Sequence, residues 1–192
     1  MISLIIDTST DTLVLILMKN GEEKGRFLRL GKHDHQAFII PSIDNLLSNN
    51  HLNIQQLDEV IVGIGPGSYT GLRVGVMTAK MLGYARNIAV KKVSSLLLLS
   101  SGYEDEKLVW HDARNQLGFS GGYIKGMMTR AEKMRHLDDL SAFEKEQLLV
   151  LNHESIRLDG KVILNQAVLV DDVMALIPNY MRKTEAEVKL DS

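Results

Sequence analysis

Apolar residues run along this chain in two rhythms. Ser3 to Ile6 and Leu13 to Met18 are dense in Leu, Ile and Val and read as buried strands. Between them Asp7-Thr8-Ser9-Thr10-Asp11 is a turn, because short polar side chains there hydrogen-bond nearby backbone and compete with strand pairing. Asn20-Gly21 suits a tight hairpin with two positive φ angles, and Glu23 to Leu30 alternates as a third, more exposed strand. A 3.6-residue rhythm over Gln36 to Leu47 puts Phe38, Ile39, Ile43, Leu46 and Leu47 on one helical face. Pro41 sits inside that pattern and must start, break or kink the helix.

Val60 to Ile64 follows as a short central strand. Gly65-Pro66-Gly67-Ser68-Tyr69-Thr70-Gly71 leads into a helix from about Thr70 to Ala85, then Ile88 to Val93 forms a strand. Ser94-Ser95 can cap a short helix over Leu96 to Leu99. The order β-β-β-α-β-α-β-α predicts a hairpin-opened mixed sheet, not a doubly wound nucleotide fold that alternates from its start. Gly102 to Lys107 turns polar and acidic, dividing a first lobe at 1–102 from a smaller one at 103–192. There Leu108 to His111, Leu117 to Ile124, Met127 to Met134, Leu148 to Leu151 and Lys161 to Leu164 read as strands. His136 to Glu146 reads as a charged loop, and Ala167 to Ile177 as a last helix stopped by Pro178. Both lobes open strand-turn-strand, which suggests duplication.

Composition narrows the classes of function. With 192 residues the chain can bury a sizeable core, and with 0 cysteines it has no disulfides, thiolate zinc sites or cysteine nucleophiles. The formal net charge is -2, and neither half has the basic excess of a protein that grips phosphates alone. Ile2 to Asp7 lacks the basic start of an export signal, and no apolar run approaches the ~20 residues of a membrane span. A cytoplasmic location is the expectation.

Candidate chemistry lies in four places. The run Gly63-Ile-Gly65-Pro-Gly67-Ser-Tyr-Thr-Gly71-Leu-Arg73 permits close backbone approach to an anion at a helix start. It is neither a Walker loop nor a dinucleotide fingerprint, so a tight strand-to-helix turn is the equal alternative. Gly71, Gly75, Ala79 and Gly83 leave one stripe of the following helix almost bare, at about 1 kcal/mol per glycine relative to alanine. That stripe fits close packing on the chain's own sheet or docking of a partner helix. His33 and His35 share a face only on a strand and have no third ligand nearby, so no metal site is assigned. Asp7, Thr8 and Ser9 occupy the place where actin-like ATPases put their first phosphate turn, although glycine is missing there.

Taken together, these stretches resemble the TsaB (YeaZ) family of bacterial tRNA-modification proteins. The likeness rests on Asp7-Thr8-Ser9, on Lys32-His33 through Pro41-Ser42-Ile43-Asp44-Asn45-Leu46-Leu47, on Gly65 through Arg73, and on Asp112-Ala113-Arg114. The ending, Pro178 to Arg182 with Ala186-Glu187, also resembles the family's. The resemblance implies a two-lobed actin/Hsp70-like (ASKHA) α/β fold, each lobe a mixed sheet with flanking helices and the second shortened. Its final helix and tail would return to the first lobe. It implies a non-catalytic scaffold that pairs with the homologue TsaD, which transfers threonylcarbamoyl to the adenosine beside the anticodon, with the ATPase TsaE completing the assembly. Pairing, with TsaD or with a second copy, would use the first-lobe helices, giving an interface of Pro41, Gly71, Arg73, Gly75, Ala79 and Gly83. Asp7, Thr8 and Ser9 would be a vestigial phosphate turn. The chain alone would require no cofactor, ATP or ADP would belong to the complex interface, and tRNA would be met only through the complex. The H-x-x-x-H metal pair of the catalytic homologue has no counterpart here. A working ATPase, phosphotransferase or metallopeptidase on the same fold is the competing reading.

Overall fold

The computed structural model describes residues 1–181. Strands β1 (Ile2–Asp7), β2 (Thr12–Lys19) and β3 (Glu22–Leu30) form an antiparallel meander, and Asn20 and Gly21 make the hairpin with φ of 53° and 78°. Helix α1 (His35–Ser48) leads to β4 (Glu59–Gly63), and α2 (Tyr69–Arg86) leads to β5 (Ala89–Val93). β4 joins in parallel beside β1, and β5 in parallel beside β4. After α3 (Ser95–Ser100) come β6 (Lys107–Asp112), β7 (Leu117–Ile124), β8 (Met127–His136), α4 (Ala142–Glu146), β9 (Leu148–Val150), α5 (Gly160–Gln166) and β10 (Val168–Leu169).

The first sheet is ordered β10-β5-β4-β1-β2-β3 and the second β8-β7-β6-β9. In each, two antiparallel hairpins are followed by a strand that returns parallel beside the first. The suspected duplication is therefore visible in topology. Among the described residues the second sheet has four strands and the first has six.

Period-2 geometry explains the unbroken apolar runs of β1 and β2. Leu4, Ile6, Leu13, Leu15 and Leu17 face a core closed by Ile39, Ile43 and Leu46 of α1 and by Val76 and Leu82 of α2. Ile5, Val14 and Ile16 face the opposite way, into a core with Leu96 to Leu99 of α3, Val109 and Tyr123 of the second sheet, and Ile163 of α5. At about 1.5–3 kcal/mol for each fully buried large side chain, this shared core joins the lobes firmly.

Three expectations change. Lys161 to Leu164 is helical, because the Asp159 carboxylate accepts from the amides of Lys161 and Val162 and so caps α5. Ala167 to Ile177 is not a helix: Val168 and Leu169 pair with β5, and Asp172 turns the chain by accepting from the amides of Met174 and Ala175. The charged loop contains α4, started by a Ser141–Glu144 capping box. Pro41 neither starts nor breaks α1; it lies exposed in mid-helix, with the neighbouring Ala37 turn also facing water. No described helix is long and apolar enough to cross a membrane.

Beyond β10 the chain runs back along α2 as a strap. Val173 lies against Gly83, Lys80 Nζ donates to the carbonyls of Met174 and Leu176, and Asn179 N donates to Ile64 O at 2.7 Å. Tyr180 then stacks on Tyr69 with ring centroids 4.6 Å apart, and its hydroxyl accepts from Arg73 Nε at 3.1 Å. Arg182, Ala186 and Glu187, part of the family-like ending, lie outside the described residues.

Candidate functional site

The four sequence motifs converge on the β1–β2 turn. Asp7 is wholly buried at the end of β1, where its Oδ1 accepts from the Ser9 amide at 2.8 Å and the Ser9 hydroxyl at 2.7 Å. Its Oδ2 has no hydrogen-bond partner among the described residues, and burial pushes the carboxyl above its ordinary value. Thr8 Oγ1 donates to the carbonyl of Gly71 at 2.7 Å. The Ser9 carbonyl accepts from Ser68 N at 2.7 Å and from His111 Nε2 at 3.1 Å, and the Thr10 carbonyl accepts from His35 Nε2 at 2.8 Å. Neither histidine tie was foreseen; a lone imidazole in a strand or at a helix start carries no sequence signal for its partner.

Asp7, Thr8 and Ser9, expected as a vestigial phosphate turn, are not open in this geometry. A phosphate turn must aim its amides at open space. Here Thr8 and Ser9 are fully buried, the Ser9 amide is taken by Asp7, and a side chain at Gly67 would run into Ser9. The turn is a seat for the start of α2, closed to a ligand.

The bare stripe of α2 is covered within the chain. A Cβ on Gly71 would strike the Thr8 carbonyl, one on Gly75 would strike Thr8 Oγ1, and one on Gly83 would meet Val90 and Val173. Ala79 is buried in the core. The backbone that comes close to Gly71 and Gly75 is the chain's own turn, and Gly71, Gly75, Ala79 and Gly83 are all buried within this chain. Pro41 and Arg73 do reach the surface, Arg73 lying 4.2 Å over the Tyr69 ring.

The outer face of α2 is different. Met77, Met81 and Tyr84 are 56%, 61% and 76% exposed at helical spacing, and Ile40 and Pro41 of the adjacent α1 are exposed too. Phe38, expected in the core, lies at the surface beneath Arg29, whose guanidinium is 3.5 Å from the ring centroid.

A pocket of about 340 Å³ opens where the turn meets both helix starts, lined among others by Asp11, His33, His35, Tyr69, Thr70 and Arg114. Arg114 reaches it from the loop after β6, where its amide donates to Asp112 Oδ1 at 2.9 Å. His33 projects into solvent and His35 turns inward to Thr10, so the H-x-H pair is not a ligand pair. No cluster of three metal-ligating side chains occurs among the described residues. The lining can hold a small polar molecule; Asp11 and His33 face each other in it at 3.9 Å, both largely exposed.

Comparison with known proteins agrees with this picture. The family described as "TsaD: tRNA N6-adenosine threonylcarbamoyltransferase" matches residues 29–135, more than half of the chain. A Bacillus subtilis protein named tRNA threonylcarbamoyladenosine biosynthesis protein TsaB is 28% identical over 97% of this chain and 96% of its own length. The Haemophilus influenzae protein of the same name is 36% identical over 50% of this chain and 41% of its own. The crystal structure of YeaZ from Pseudomonas aeruginosa superposes with a TM-score of 0.73 at 20% identity, covering 93% of this chain and 99% of that one. That likeness establishes the two-lobed fold. Within the wider family described for TsaD, the chain belongs to the TsaB (YeaZ) family.

Proposed function

We propose that this chain is a non-catalytic subunit of the machinery that makes threonylcarbamoyladenosine in tRNA, and that it holds the catalytic TsaD-type homologue through the outer face of α1 and α2. The observation that carries this reading is the exposed row Met77, Met81 and Tyr84, continued by Ile40 and Pro41. Such a row is costly to leave in water and is the kind of surface that forms interface cores. Arg73, Tyr69 and the pocket with Arg114 border it, so ATP or ADP has a polar place at the edge of the joined surfaces. A TsaE-type ATPase completes the assembly, tRNA is met only in the complex, and the chain alone pairs with a second copy through the same face. The cytoplasm is where such an assembly would work.

The sealed Asp7–Thr10 turn favours this reading over an ATPase or phosphotransferase, whose phosphates would need those amides. A peptidase reading rests only on the wording "similarity to peptidase YEAZ" used for a Pseudomonas aeruginosa structure. Co-purification of the full chain with the TsaD-type homologue tests the proposal. A stable complex with no turnover by the isolated chain is expected. ATP hydrolysis or peptide cleavage by the isolated chain, lost in Asp7→Ala, would favour the enzyme reading.

A further inference from the structure

His111 lies on β6 of the second sheet and reaches into the first lobe. Its Nε2 is 3.1 Å from the carbonyl of Ser9, which also accepts from the Ser68 amide. A carbonyl only accepts, so the ring carries its proton on Nε2. Nδ1 is then a bare lone pair, buried and without a partner among the described residues. A second proton on the ring would sit at Nδ1, a buried position with no hydrogen-bond partner in place. His35 makes the sister contact to Thr10, but from α1; from the second lobe His111 bonds the turn itself, and His153 lies 3.2 Å from the Thr12 hydroxyl just beyond it.

The charged groups acting on the His111 ring are Asp11 of the turn and Asp112 on its own strand; Phe119 of β7 packs with ring centroids 6.2 Å away. The two carboxylates favour a charged ring, but burial opposes it more strongly, so the imidazole titrates below its ordinary value. Both carboxylates lie at the surface, Asp11 with 66% of its side chain exposed.

We propose that His111 is a proton-sensitive latch between the second lobe and the β1–β2 turn, closed by the neutral ring and released when Nδ1 takes a proton from solvent. The protonated ring turns toward Asp112 and Asp11 and leaves the Ser9 carbonyl to Ser68 alone. Release is local. The shared core around α3 and the contacts of Glu132 with Ser94 and Tyr123 keep the sheets joined. What moves is the end of β6 with Asp112 to Arg114, and hence the wall of the pocket that Arg114 lines. This inference is independent of the partner proposed above.

Ring-nitrogen NMR on the full chain reads the latch directly. At neutral pH the His111 signal is expected in the Nε2–H form, with its titration midpoint below the ordinary imidazole value. Amide exchange, corrected for its intrinsic pH dependence, is expected to rise about tenfold at Arg114 and to stay protected at Ser68 as that midpoint is crossed. His111→Gln supplies an amide donor for Ser9 that does not titrate, so protection at Arg114 should be independent of pH. An Nδ1–H tautomer at neutral pH would overturn the proposal without any variant. So would an equal acid-induced rise in exchange in His111→Gln.

Discussion

Thr8 Oγ1 donates to the carbonyl of Gly71 at 2.7 Å, and that one contact decides how the glycine-rich helix is to be understood. The first turn of the sheet lies directly on the start of α2, with no side chain between the two backbones. Three glycines at about 1 kcal/mol each relative to alanine are the cost of that approach. It is met inside the molecule, and the proposed partner face is the opposite side of the helix.

Enlarging the stripe should therefore weaken the fold itself. Gly75→Ala puts a methyl into Thr8 Oγ1 and is expected to lower stability by about 1–3 kcal/mol. Gly75→Arg should leave little folded protein. Chemical denaturation of the isolated chain checks both, and a fully stable Gly75→Arg protein would contradict the buried stripe.

Asp7 makes an opposite prediction in pH. Its carboxyl titrates above the ordinary 3.8 because burial disfavours the charge, so the folded state holds this proton more tightly than the unfolded state. The group's contribution to stability is greatest below the ordinary value and declines as pH rises through the raised one. Asp7→Asn keeps an oxygen for the Ser9 amide and hydroxyl while removing the charge. The variant should be more stable than the parent at neutral pH, with the difference vanishing in acid. Denaturant midpoints across the acid range measure this.

Glu144 behaves in the ordinary way. Hydrogen bonds from Arg135, with the Ser141 amide adding to them, hold its carboxyl down at about 2. Its contribution is complete above 4.5 and is lost as pH falls toward 2. Glu144→Gln should loosen α4 from β8 at neutral pH, seen as faster amide exchange over Ala142–Glu146, while parent and variant converge in acid.

The strap offers a further check. Tyr180 stacks on Tyr69 and accepts from Arg73, so Tyr180→Ala removes the contact that closes the strap over α2. Limited proteolysis should then cut between Val170 and Asn179 several-fold faster, with the sheets intact.

Much of the first lobe was legible in the sequence because its local signals agree with its packing. Asn20-Gly21 makes the hairpin its φ preferences demand, and Ser94 accepts from Leu97 N at the start of α3. In the second lobe local pattern misleads. Val162 and Ile163 look like a strand, and only the Asp159 cap and a core reached by Ile163 make that stretch helical. Residues 167–177 have helical rhythm, yet Val168 and Leu169 find a partner in the free edge of β5, a long-range choice that no window of sequence displays. At the site, the small-residue stripe announced a close approach but could not say from which side. His35 and His111 gave no sign of their carbonyl partners, 25 and 102 residues away.

The most direct test of the account is the affinity of this chain for its TsaD-type homologue when the outer face of α2 is changed. Met81→Glu combined with Tyr84→Glu alters two exposed side chains that the isolated fold does not need. The account predicts an unchanged unfolding midpoint and binding weakened about a hundredfold or more, as befits central interface residues. Full-strength binding by the folded double variant would contradict it.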